Sequence, residues 1–154
     1  MKPIAIASDH AGVDLKQRIV DHLQAAGHAV ADLGTHGADS VDYPDYAARM
    51  ARALGDGSSE RGILVCGSGI GISIAANRFA HVRAALCHDV TSARLCREHN
   101  DANVLALGAR LVGDAVALDC VDAFLATAFA GGRHTRRVDK LAGLPGPIEQ
   151  GMDN

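Results

Sequence analysis

The apolar run Ile63, Leu64, Val65 has no polar residue to turn toward water, and it passes directly into the glycine-punctuated segment CGSGIGISIAANR at residues 66–78. A strand apolar on both faces must be covered on both faces, as in parallel sheets with helices above and below. That excludes a sheet with one wet face. Cys66 stands at the strand's carboxyl end. Gly67, Gly69 and Gly71 remove side chains where the backbone turns, so that consecutive N–H groups can converge on an anionic ligand. The helix that follows adds the positive end of its dipole.

Three familiar loops fail on single residues. A P-loop needs Lys and then Ser or Thr after its last glycine, and here Ile72 and Ser73 follow Gly71. The dinucleotide fingerprint needs a third glycine at the position of Ile72, so Asp89 imitates the ribose-binding acid only weakly. A cysteine phosphatase needs an arginine six residues after its thiol, and that position is again Ile72. What survives is a thiol able to act as base or nucleophile, facing backbone donors suited to a developing oxyanion.

Along the chain, apolar strands are expected at residues 3–7, 28–33, 63–65, 82–87 and 104–107. Helical periodicity is expected at 13–26, 46–54, 91–98 and 114–129, with the arginines of GGRHTRR at 131–137 as the basic start of a last helix. Strands alternating with helices imply a three-layer αβα sandwich around a five-stranded parallel sheet, since right-handed crossovers place helices over both faces. Ligands gather beyond the carboxyl ends of such strands. Asp9, His10, Cys66, Ser68 and Arg110 all fall there. Asp9 as an N-cap and His10 as a loop residue are ordinary alternatives, and the convergence of these five residues outweighs them. The cluster Arg133, Arg136, Arg137, taken alone, reads as a solvated face.

The 154 residues suit one domain, with a flexible tail expected from about residue 143. A net charge of −3 and an aromatic content of 3% argue against a nucleic-acid surface. No stretch reaches the apolar length of a membrane span, and the amino end turns polar too early for a signal peptide. A cytoplasmic protein is expected. Cys66, Cys87, Cys96 and Cys120 include no C-x-x-C pair and read as reduced thiols, the last three as small core residues. The eight histidines show no metal-ligand spacing, so neither a metal nor a cofactor is expected.

The motifs SDHAG (8–12), DYPDYA (42–47), CGSGIGISIAANR (66–78), EHNDANVLALGAR (98–110) and GGRHTRR (131–137) together resemble the family of type B ribose-5-phosphate isomerases and galactose-6-phosphate isomerase subunits. The resemblance spans residues 1–141. It implies a Rossmann-like fold without a nucleotide, and a homodimer with sites at the subunit interface that in some members pairs into a dimer of dimers. It also implies a phosphorylated sugar as partner, isomerised between aldose and ketose through a cis-enediolate. By the same resemblance Cys66 is the base, and Ser68 with the N–H groups of Gly67, Gly69 and Gly71 holds the enediolate oxygen. His99 opens the sugar ring with Asp9 assisting, Asn100 binds the reacting end, and Tyr43 lines the pocket. His10, Arg110, Arg133 and Arg137 resemble the phosphate ligands. Some relatives use a glutamate as base where this chain has Ile72, which favours Cys66. His134 is given no role. His99-Asn100-Asp101 favours the pentose, with four- and six-carbon sugar phosphates as alternatives. A non-enzymatic sugar-phosphate-binding module, in which Cys66 is idle, is the alternative of a different class.

Overall fold

The structure, a computed structural model, describes residues 1–144. Its strands are β1 (Ile4–Ser8), β2 (Val30–Asp32), β3 (Gly62–Cys66), β4 (Ala84–Leu86) and β5 (Val104–Gly108). The helices are α1 (Val13–Ala25), α2 (Tyr43–Gly55), α3 (Ile70–Ala76), α4 (Val90–Asn100), α5 (Asp114–Ala126) and α6 (Thr135–Ala142). All strand pairs are parallel, in the order β2-β1-β3-β5-β4.

The three layers follow from strand alternation. Ile4, Ile6, Ile63, Val65, Leu105 and Leu107 join a core with α1, α4 and α5. Ala5, Ala7, Leu64, Cys66, Val104 and Ala106 join a second core with α2 and α3. Cys66 therefore faces the α2/α3 layer. The chain leaves β1 toward β2 on one side and returns as β3 on the other, so the two strands flank a topological switch point. That is where ligands collect in open α/β sheets.

Five elements depart from expectation by more than one residue. α2 starts at Tyr43, three residues before residue 46, because Pro44 lies in its first turn, where a missing N–H breaks no helical bond. α4 continues past residue 98 to Asn100 and stops at Asp101, which takes the left-handed conformation at φ 46°. β2 and β4 are three residues each, shorter than expected. α5 ends at Ala126 rather than 129, because Thr127 turns extended and its Oγ1 donates back to the Ala123 carbonyl at 2.6 Å. Arg61 and Arg97 then take the end of α5: Arg61 donates to the Leu125 carbonyl at 2.7 Å, and Arg97 Nε to the Thr127 carbonyl at 3.3 Å. Beyond Gly143 and Leu144, the expected tail lies outside the described residues.

Candidate active site

Nine of the residues singled out in the sequence gather at the carboxyl edge of β1, β3 and β5. Asp9 and His10 follow β1, and Asp9 is buried with its Oδ1 accepting from the Ala11 N–H at 3.0 Å. It thus does cap the short 3-10 turn at His10–Gly12. That turn lies across the end of β3, and a Cβ on Gly12 would come within 2.8 Å of Val65. His10 Nδ1 accepts the Val41 N–H at 3.1 Å, so in the neutral ring the proton sits on Nε2, which is left as a donor.

Cys66 is 4% exposed, and its Sγ accepts the Gly69 N–H at 3.0 Å. The loop that makes this bond turns on Gly69, at φ 77°, while Ser68 Oγ accepts from Ile70 N–H at 3.2 Å. Only Gly69, of the three loop glycines, is glycine for its backbone angle. Gly71 lies inside α3, where an added Cβ would sit 2.6 Å from Cζ of the Tyr43 ring. It is small because an aromatic ring rests on it, a correction to its reading as a turn residue. Gly67 is similarly overlain: its Cβ position lies 3.4 Å from Arg110 Nη1 and 3.6 Å from Ala11 Cβ. Arg110 also donates its backbone N–H to the Gly67 carbonyl at 2.9 Å, which carries its guanidinium to the thiol loop.

His99, Asn100, Arg133 and Arg137 are elsewhere. α4 runs from the carboxyl end of β4 back toward the amino end of β5, so its last turn lies at the opposite edge of the sheet. The length of a five-residue strand, roughly 15 Å, separates the two edges. The segment containing Arg133, His134 and Arg137 joins His99 there: Ala130 N–H donates to the Glu98 carbonyl at 3.0 Å, and the rings of His99 and His134 stack with centroids 4.4 Å apart. Burial, then the positive charges of His99, Arg133 and Arg137, hold His134 below the usual histidine pKa, against Glu98.

The remaining titratable groups have structural places. Asp89 caps α4, its Oδ1 accepting Ser92 N–H at 2.8 Å. Cys87, Cys96 and Cys120 are buried in the α1/α4/α5 core, and burial pushes the Cys120 thiol up to about 11. All four cysteines are unpaired. Among the described residues there is no group of three or more His, Cys, Asp or Glu placed to hold a metal ion, and no helix long and apolar enough to cross a membrane.

A family model described as Ribose/Galactose Isomerase matches residues 4–141. The chain belongs to this isomerase family. The isomerase is 49% identical over 144 residues to ribose-5-phosphate isomerase B of Escherichia coli, covering 94% of this chain and 97% of that one. It is 44% identical over 142 residues to a D-erythrulose-4-phosphate isomerase of Pectobacterium atrosepticum, covering 92% and 93%. A solved structure of Clostridium thermocellum ribose-5-phosphate isomerase B superimposes with a TM-score of 0.91 at 53% identity, over 93% of this chain and 96% of that one. This isomerase is an enzyme acting on sugar phosphates, which sets aside the reading as a non-enzymatic binding module.

The sequence passed over two features of this isomerase. Arg97, 5% exposed, donates to Asp101 Oδ1 at 2.8 Å and to the Ala102 carbonyl, and Arg83 takes Asp101 Oδ2 at 3.0 Å. These bonds fix the turn after Asn100. Lys16, 1% exposed, is paired with Asp32 at 2.6 Å across α1 and β2. The Lys16–Asp32 pair and the Arg83 bond join separate segments and were not legible locally, whereas Arg97 and Asp101 stand four residues apart, a spacing that the sequence does show.

Proposed function

We propose that this enzyme interconverts D-ribose 5-phosphate and D-ribulose 5-phosphate in the cytoplasm, with no cofactor. The observation that carries the chemistry is the buried Cys66 sulfur at the switch point, accepting the Gly69 N–H, with the Arg110 guanidinium over the adjacent Gly67. Cys66, as thiolate, takes the proton from C2 of the open-chain aldose and returns it to C1, while the hydroxyl proton on O2 passes to O1 across the cis-enediolate. The electron pair of the broken C–H bond moves through the enediolate, whose oxygen is met by Ser68 and the N–H groups of the loop from Gly67 to Gly71. A preorganised donor of this kind is typically worth about 2.7–4 kcal/mol. The His10 Nε2–H and the Arg110 guanidinium serve the phosphate, with Arg133 and Arg137 adding forked donors. Asp9 orients sugar hydroxyls and Tyr43 closes one wall of the pocket.

Ring opening by His99, with Asn100 on the reacting end, requires these residues to reach the thiol. Within one subunit they lie at the other edge of the sheet. The site is therefore built from two copies, in a homodimer. The edge strand β4 supports this: beside it runs a groove of ≈ 990 Å³ lined by Phe79, Cys96, Asn100, Leu141 and Leu144 among others. A groove at a sheet edge, partly apolar and reaching Asn100, is a place where a second copy can seat.

Two experiments test the proposal. Cys66→Ala should abolish exchange of substrate carbon-bound hydrogen with D2O while still binding a phosphate-bearing analogue; unchanged turnover would eliminate the base. Mixing inactive Cys66→Ala with inactive His99→Ala subunits should restore about 25% activity, since half the dimers are hybrids with one intact site of two. No recovery after subunit exchange refutes the shared site. The D-erythrulose-4-phosphate relative gives a second substrate reading, and comparing kcat/KM across four-, five- and six-carbon sugar phosphates decides between them.

A further inference from the structure

The two imidazoles at the edge remote from Cys66 lie face to face, with centroids 4.4 Å apart and planes inclined by only 12°. His99 belongs to the last turn of α4, and His134 to the 3-10 turn before α6. A stack this close holds at most one proton charge comfortably, because two imidazolium ions at that spacing repel. Their surroundings decide which ring stays neutral. His134 is 9% exposed. Besides His99, the charged groups acting on it are Arg133 and Arg137, which oppose its protonation, and Glu98, which favours it. Glu98 is already paired with Arg94 at 2.8 Å. Arg133 Nε lies 3.5 Å from His134 Nε2, and a guanidinium N–H faces a ring nitrogen only where that nitrogen bears no proton. His134 is thus neutral, with its proton on Nδ1.

We infer that His134 is a positioning residue for His99, a neutral platform that sets the plane of the His99 ring and leaves His99 as the member of the pair that gains and loses a proton. The inference rests on the ring-opening role proposed for His99. When the furanose opens, the bond from C1 to the ring oxygen breaks, the anomeric hydroxyl loses a proton and the former ring oxygen gains one. One imidazole can carry that proton between the two oxygens only while its edge stays aimed at them. The side chain of His99, at a helix end, has two free torsions, and the stack removes the freedom of its plane.

The two steps can be read apart. Ribulose 5-phosphate has no free 5-hydroxyl with which to close a furanose, so deuterium exchange at its C1 reports the thiol step alone. Conversion of ribose 5-phosphate reports ring opening as well. His134→Ala should lower kcat/KM for ribose 5-phosphate about tenfold and leave C1 exchange within about twofold of the unmodified enzyme. His134→Phe, which keeps a flat neutral ring, should recover most of the loss. In the unmodified enzyme, an NMR titration of the imidazoles should show His134 charging at lower pH than a free histidine, and at higher pH once His99 is replaced by Phe. Full ribose 5-phosphate activity in His134→Ala, an equal loss in both reactions, or a His134 that charges at or above the ordinary histidine value overturns the platform. Full ribose 5-phosphate activity in His99→Ala would instead overturn the ring-opening reading itself.

Discussion

Gly71→Ala is the most direct test of how the pocket wall is built. Gly71 sits in α3 with a helical backbone, so alanine gains about 1 kcal/mol from helix propensity. Against that, the new Cβ would meet the Tyr43 ring at 2.6 Å (Cζ), 2.9 Å (Cε1) and 2.9 Å (Cε2). Carbon atoms rest at about 3.5–4.0 Å, so the ring must retreat by roughly 1 Å. Overpacking of this kind costs about 1–3 kcal/mol. Tyr43 is 40% exposed and starts a helix, so the ring can give part of the way, and the middle of that range, about 2 kcal/mol, applies. The net effect is a destabilisation of about 1 kcal/mol, a fall in Tm of about 2–4 °C for a chain of this size. In a Tyr43→Ala background the same change should stabilise by about 1 kcal/mol, giving a coupling of about 2 kcal/mol. Urea unfolding of the four proteins at one protomer concentration measures this cycle. If Gly71→Ala stabilises both backgrounds equally, the ring is not seated on Gly71.

Gly69→Ala should be far worse, because the residue combines φ 77° with a Cβ position 2.5 Å from Leu86 Cδ1 and 2.8 Å from the Leu107 carbonyl carbon; a loss of about 3 kcal/mol or more is expected in the same unfolding assay. Arg97→Met should cost about 2–3 kcal/mol, below the full cost of breaking a buried pair because Asp101 is partly exposed and keeps Arg83. A change under 0.5 kcal/mol would show that the turn after α4 holds without it. The depressed His134 pKa also predicts a pH dependence. Because the unfolded chain binds this proton more readily, stability falls as pH drops through the ordinary histidine value of about 6.5 and levels off below the folded value. His134→Phe should flatten that part of the stability curve, measured by denaturant unfolding between pH 7.5 and pH 5.

The alternation of strands and helices was readable because buried parallel strands are continuous apolar runs and the helices between them keep a helical period. Strand direction alone then placed Asp9, His10, Cys66, Ser68 and Arg110 at one edge. Pro44 misled because proline reads as a breaker, yet in the first turn of α2 it breaks nothing. Phe129 fits the helical period of α5, and the end three residues earlier comes from the Thr127 cap together with Arg61 and Arg97, which arrive from β3's approach and from α4. Gly71 reads as a turn residue in the sequence because the ring that needs its small size comes from another helix. His99 lies one residue past the expected end of α4, and its stacking on His134 was not legible, since β5 and α5 lie between them in the chain.

The return of α4 to the far edge has a bearing on how the enzyme must be handled. If the thiol of one copy can meet an imidazole only from another, a lone protomer is inert however well folded. Turnover per milligram should then fall as solutions are diluted past the dissociation constant of the pair, and rate should climb with the square of protein concentration in that regime.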